Sequence, residues 1–194
     1  MKSHTITSIV RNTSTRSLSR AFAGLDPDQI YDLELSPRLR CSTVGRIDCA
    51  AGQRFHSDLA TSISGQWIDR QYWPYTRVLR DWLKDAGVTN IWSEWEFRSH
   101  RRVVGYCDLL VKGGPNARGV VEVKLVNNLP EVPPSDDQCQ VGLYTRRAAA
   151  RFNDFDSYWG ALAYVHPPSH TIRVFEWQKM GRCCNAADRI LRAA

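Results

Sequence analysis

The sequence predicts an α/β fold, a mixed central β-sheet flanked by α-helices, and three observations predict it. Apolar residues recur at helical spacing in two stretches before residue 90. Three strand-like runs follow within 91–126, the last of them almost continuously β-branched. A third helical stretch then precedes two more strand-like runs, which permits a parallel crossover within one sheet.

Phe55, Leu59 and Ile63 recur every four residues and Gly65 ends the run. Pro74 opens a second helix, Val78, Leu79, Trp82 and Leu83 form its apolar face, and Gly87 is its stop. Residues 91–98 alternate, with Trp95 and Phe97 on one face and Glu94 and Glu96 on the other. A basic connection at 98–102 leads to a second strand over 103–111. Two glycines and a proline turn the chain within 112–118. The third strand, 119–126, carries Val120, Val121, Val123, Leu125 and Val126 and reads as buried on both faces. After Pro130, Pro133 and Pro134, the run Ser135-Asp136-Asp137 forms an N-cap region for a helix over 138–151. Strands at 158–165 and 171–177 and a short helix at 186–192 complete the series. Residues 1–50 read as a basic, partly irregular segment ahead of a domain spanning 51–194.

Hydrophobic residues make up 43% and charged residues 24% of the 194, enough to bury a core and too apolar for a disordered chain. No apolar run approaches the roughly 20 residues of a membrane helix, so no membrane association is expected. The first 24 residues are rich in Ser, Thr and Arg and hold no acid. They read as a flexible basic arm, with a loose match to an organelle transit peptide. Six cysteines without C-x-x-C spacing suggest reduced thiols of a cytoplasmic protein, not a zinc or iron–sulfur site. A net charge of +6 suits a polyanionic partner. Basic residues cluster at Arg98, Arg101 and Arg102 and at Arg146, Arg147 and Arg151. Trp67, Tyr72, Trp73 and Tyr75 form an aromatic group suited either to core filling or to stacking on bases.

Charges interrupt the two valine-rich strands. Asp108 sits within Val103–Val111, and Glu122 and Lys124 break Val120-Val121-Glu122-Val123-Lys124-Leu125. A buried carboxylate without a partner is strongly disfavoured, so each needs a counter-charge or a metal. Strand period puts Glu122 and Lys124 on one face, about 7 Å apart. If the strands are neighbours, Asp108 converges on that pair. Two carboxylates suit Mg²⁺ or Mn²⁺ bound with phosphate oxygens and water. Such an ion polarises a phosphodiester and makes hydroxide available near neutral pH, while an ammonium orients water or stabilises developing charge.

Asp108, thirteen intervening residues and then Glu122-Val123-Lys124 resemble the D-(x)n-E-x-K core of the PD-(D/E)XK nucleases. The resemblance extends to the RecB-like exonuclease branch. Gly105 stands three residues before Asp108, Gln140-Val141-Gly142-Leu143-Tyr144 supplies a Q-x-x-x-Y, and His56 follows Gly52 on an upstream helix. Glu94, in preference to Glu96, supplies the upstream acid. Cys107 stands where the superfamily name has Pro, and the cysteine set of iron–sulfur relatives is missing.

The resemblance implies a restriction-endonuclease-like core and a metal-dependent deoxyribonuclease, exonuclease in preference to endonuclease. It implies metal binding by Asp108, Glu122, the Val123 carbonyl and His56, with Lys124 as the catalytic lysine. Gln140, Tyr144 and, from the charge pattern, Arg146 would contact substrate. DNA, single- or double-stranded, is the implied partner, with a separate helicase, recombinase or other DNA-processing protein, in a phage, mobile-element, repair or defence setting. A catalytically silent nucleic-acid- or protein-binding relative and a nuclease toxin are the alternatives.

Overall fold

The structure is a computed structural model and describes residues 4–40, 47–66, 71–98, 103–152 and 157–193. In chain order the elements are β1 (His4–Thr5), α1 (Ile6–Asn12), α2 (Thr15–Phe22), β2 (Gln29–Glu34), α3 (Cys49–Ile63), α4 (Trp73–Asp85) and β3 (Val88–Arg98). Then follow β4 (Val103–Gly113), β5 (Arg118–Leu125), α5 (Ser135–Phe152), β6 (Tyr158–His166), β7 (Thr171–Trp177) and α6 (Gly181–Ala193). The basic connection with Arg101 and Arg102, together with Cys41 and Trp67, lies outside the described residues.

Local signals explain where the helices begin and end. The Asp48 side chain accepts the Ala51 N–H at 2.8 Å and caps α3, and Gly65 leaves that helix at φ +79°. Pro74 occupies the first turn of α4, where a missing N–H costs nothing. Asp136 and Asp137 sit in the first turn of α5, where the helix dipole favours acids.

The fold is α/β: a mixed sheet flanked by helices on both faces. The sheet runs β1-β4-β5-β6-β7-β2, with β3 on the other edge of β4. Strands β5 and β6 are parallel, joined by the α5 crossover, whereas β3–β4, β4–β5, β6–β7 and β7–β2 are antiparallel. One apolar layer joins the sheet to α1, α2, α5 and α6. The other joins it to α3 and α4 through Phe55, Leu59, Leu79 and Leu83. Tyr72 and Tyr75 are buried in that second layer, so the early aromatic group fills core, although Trp73 is 38% exposed.

The first 50 residues, expected to be partly irregular, hold more regular structure than that among their described residues. The segment carries α1 and α2, whose Ile6, Leu18 and Phe22 are buried, and β2, which pairs with β7 over six residues. Arg173 holds Asp32 across that pair by two bonds of 2.8 Å, and Trp177 Nε1–H donates to the Leu25 carbonyl at 3.0 Å. A Ser/Thr-rich composition hid short capped helices: Thr5 and Ser14 side chains accept the N–H groups of Ser8 and Ser17. The last helix is also longer than expected, starting at Gly181. Among the described residues no helix is long and apolar enough to cross a membrane.

Candidate active site

Strands β4 and β5 pair from Lys112–Arg118 to Leu109–Val121 and then part. Asp108 and Glu122 form the next level, and there side chains take over the ladder. The Asp108 N–H donates to Glu122 Oε1 at 3.3 Å, and the Val123 N–H donates to Asp108 Oδ2 at 2.7 Å. Strand alternation breaks at the same level. Cys107 packs in the α5 layer and Leu109 in the α3–α4 layer, although a regular strand sends residues two apart to one face. Opposite, on β3, Glu94 has φ +48°. A non-glycine residue there costs on the order of 1–3 kcal/mol and persists only when its surroundings hold it, here β3–β4 pairing on both sides.

Neighbouring elements bring further groups to this parting. From α3, His56 Nδ1 lies 3.0 Å from Asp108 Oδ1. From β5, Lys124 Nζ donates to Gln140 Oε1 at 2.8 Å and lies 3.9 Å from Glu122 Oε2. It also lies 3.6 Å from Asp137 Oδ1, whose partner oxygen accepts the Tyr164 hydroxyl at 2.6 Å. Gln53, His56, Glu94, Tyr106, Asp108, Glu122, Lys124 and Gln140 line one open cleft of about 390 Å³.

Burial sets the electrostatics. Glu122 is 1% exposed. Its carboxyl is pushed well above the usual range, first by burial and then by Asp108, against the pull of Lys124. Burial disfavours the Lys124 ammonium, but Glu122, Asp137 and Asp108 outweigh it and raise its pKa. Burial likewise opposes charge on His56, and its bond to Asp108 and the attraction of that carboxylate overcome the penalty, so its pKa is raised.

Among the described residues no group of three or more His, Cys, Asp or Glu side chains is spaced to enclose a metal. The donors at the parting are the Asp108 and Glu122 carboxylates and a backbone carbonyl, with His56 Nδ1 turned to Asp108 and Glu94 on the cleft wall. Val126 N–H bonds Val165 on β6, so by alternation Val123 turns its N–H and carbonyl to the opposite edge, towards the gap beside Asp108. Two carboxylates and a carbonyl fit a hard ion such as Mg²⁺, which keeps several waters, better than zinc. The mutual repulsion of Asp108 and Glu122 is what a cation would relieve.

Asp108, Glu122, Lys124, His56, Gln140 and Glu94 thus meet at the cleft, while Glu96 accepts the Tyr106 hydroxyl at 3.1 Å. Two expected substrate contacts stand elsewhere. Tyr144 is 2% exposed, stacks on Phe97 with centroids 6.0 Å apart, and shares hydrogen bonds with Gln140 and Thr7. It therefore supports Gln140 from behind. Gly105 allows this: a Cβ there would meet Tyr144 Cε1 at 2.7 Å and Ile6 Cδ1 at 2.9 Å. Arg146 does not reach the cleft; its Nε lies 3.3 Å from Asp188 Oδ1 on α6. Six helical residues past Gln140 bring it to a different face, whereas Tyr144, four past, stays near the same one.

Sequence reasoning missed Asp137, Gln53 and Tyr106. The signal for the first two was i,i+3 spacing on one helix face, Asp137 with Gln140 and Gln53 with His56. Its place ahead of the helix gives Asp137 only a capping role.

No protein-family model and no curated sequence matches the chain. Among solved structures, that of SSO0001 is similar at 16% identity over 98% of this chain and 75% of that one, with a TM-score of 0.44. Likeness at that level carries no argument about chemistry.

Proposed function

We propose that this protein is a metal-dependent deoxyribonuclease of the PD-(D/E)XK type, near its RecB-like branch, hydrolysing DNA phosphodiester bonds. The observation that carries the reading is the meeting of Asp108, Glu122 and Lys124 where β4 and β5 part, with Glu122 buried against Asp108 and open to a cleft. A purely structural ion pair would not require a second, half-buried carboxylate beside the buried one. Asp108, Glu122 and the Val123 carbonyl would hold Mg²⁺ or Mn²⁺. That ion supplies charge stabilisation and a lowered water pKa when bound. His56 fixes Asp108 from the α3 side. Lys124, with its raised pKa, stays an ammonium at neutral pH, so it orients water and stabilises charge on the phosphoryl oxygens and is not the base. Gln140 and Asp137 hold its Nζ in place. The net positive charge favours a polyanionic substrate, and a separate DNA-processing partner belongs to the same reading.

The test is cleavage of end-labelled linear, circular and single-stranded DNA with Mg²⁺ or Mn²⁺. Cleavage is expected in wild type, abolished by EDTA and lost in Asp108→Ala and Lys124→Ala. Activity that survives both substitutions rejects the reading.

A further inference from the structure

The irregularity that shapes the cleft also builds a second pocket. On a regular strand Trp92 and Trp95, three apart, project to opposite faces. With Glu94 at φ +48° between them, their ring centroids lie 6.2 Å apart with planes at 65°. They wall a cavity of about 320 Å³ together with Leu110, Lys112, Arg118 and Tyr158. Its described lining is apolar, aromatic or cationic and includes no acid. Trp92 is 41% exposed, although most large apolar side chains of the chain are covered.

We propose that this pocket binds an unpaired nucleobase, which makes single-stranded DNA, or the frayed end of a duplex, the preferred substrate; the inference rests on the nuclease reading. Flat indole faces stack on any base. Lys112, exposed, and Arg118 place positive charge where the flanking phosphates run. The volume lies at the small end of ligand sites, suited to one ring system. Trp95 pairs with Cys107, the neighbour of Asp108, and Trp92 with Leu110. Leu110 and Lys112 lie about 7 and 13 Å along β4 from Asp108 at roughly 3.3 Å per residue, a few nucleotides from the scissile bond.

The experiment is fluorescence anisotropy of a labelled oligothymidylate and of a duplex, in EDTA so that cleavage plays no part. Trp92→Ala and Trp92→Leu, the second keeping apolar cover without a flat ring, are expected to weaken oligothymidylate binding at least about fivefold. Trp92→Phe retains it, and binding of the duplex, closed by hairpins at both ends so that none can fray, is unchanged. Equal binding by Trp92→Leu and wild type overturns the inference, as does a wild type that cleaves DNA yet binds no oligothymidylate. A dimer in sedimentation that Trp92→Ala splits gives the pocket to a second copy and also overturns it. An inert protein that binds oligothymidylate through Trp92 rejects the nuclease reading alone.

Discussion

Asp108 Oδ2 accepts the Val123 N–H at 2.7 Å, so a carboxylate fills the ladder position of a backbone carbonyl where β4 and β5 separate. Its other oxygen holds His56 at 3.0 Å. Asp108→Ala therefore leaves a strand amide without this acceptor, a loss on the order of 1 kcal/mol once relief of Glu122 is set against it. It also removes the largest influence that raises the His56 pKa, leaving the weaker attraction of Glu94. The folded ring binds its proton more tightly than the unfolded one. Its contribution to stability is complete below the ordinary histidine value and disappears as pH rises through the raised one. NMR titration of His56 is expected to show a lower midpoint in Asp108→Ala, and an unchanged midpoint would remove Asp108 as the cause.

Glu122 has the same sign for a different reason, burial of its carboxyl. Its folded carboxyl has a raised pKa, so the folded state binds the proton more tightly and stability declines as pH climbs above the ordinary carboxylate value. Glu122→Gln lacks that decline. At pH 8 in EDTA the variant is expected to melt a few degrees above wild type, converging with it near pH 4, and to lose cleavage at least about a hundredfold. Mg²⁺ should recover part of the deficit in wild type and none in the variant. Thermal unfolding across pH checks this; a variant that melts below wild type at pH 8 contradicts it.

The strands and helices after residue 50 were legible because period and punctuation agreed, from Phe55-Leu59-Ile63 to the valines of β5. Asp108, Glu122 and Lys124 were legible for the opposite reason, as charges inside apolar strands. Three features were not. Short Ser- and Thr-capped helices leave weak periodicity, which hid α1 and α2. The φ of Glu94 has no composition cue, because Glu is not a residue that marks the left-handed region. Charge clustering groups Arg146 with the substrate path, whereas helical phase sets it apart from Gln140.

Arg146 and Asp188 join α5 to α6 at 3.3 Å, and Asp188 also takes Arg192 at 2.8 Å. Arg146→Ala is expected to lower stability by about 0.5–1 kcal/mol and to leave cleavage within about twofold. Urea unfolding and initial rates separate the two effects. A large rise in KM would return Arg146 to the substrate path.

Lys124 is held by geometry as much as by charge. Gln140, Asp137 and Glu122 stand 2.8, 3.6 and 3.9 Å from its Nζ, and the Tyr164 hydroxyl fixes Asp137 at 2.6 Å. An ammonium is compact, whereas a guanidinium is a flat fork with its charge spread outward. Lys124→Arg keeps the charge but cannot set one N–H donor at the same point, so cleavage is expected to fall at least about a hundredfold with DNA binding retained. Asp137→Asn keeps an acceptor and removes a charge; Tyr164→Phe keeps the charge and releases the carboxylate. Each is expected to lower kcat about tenfold with KM unchanged, because neither residue is among those lining the cleft. Single-turnover kinetics with saturating enzyme measure the chemical step directly. If Lys124→Arg cleaves at the wild-type rate, charge alone suffices there and the clamp formed by Gln140, Asp137 and Tyr164 has no part in the chemistry.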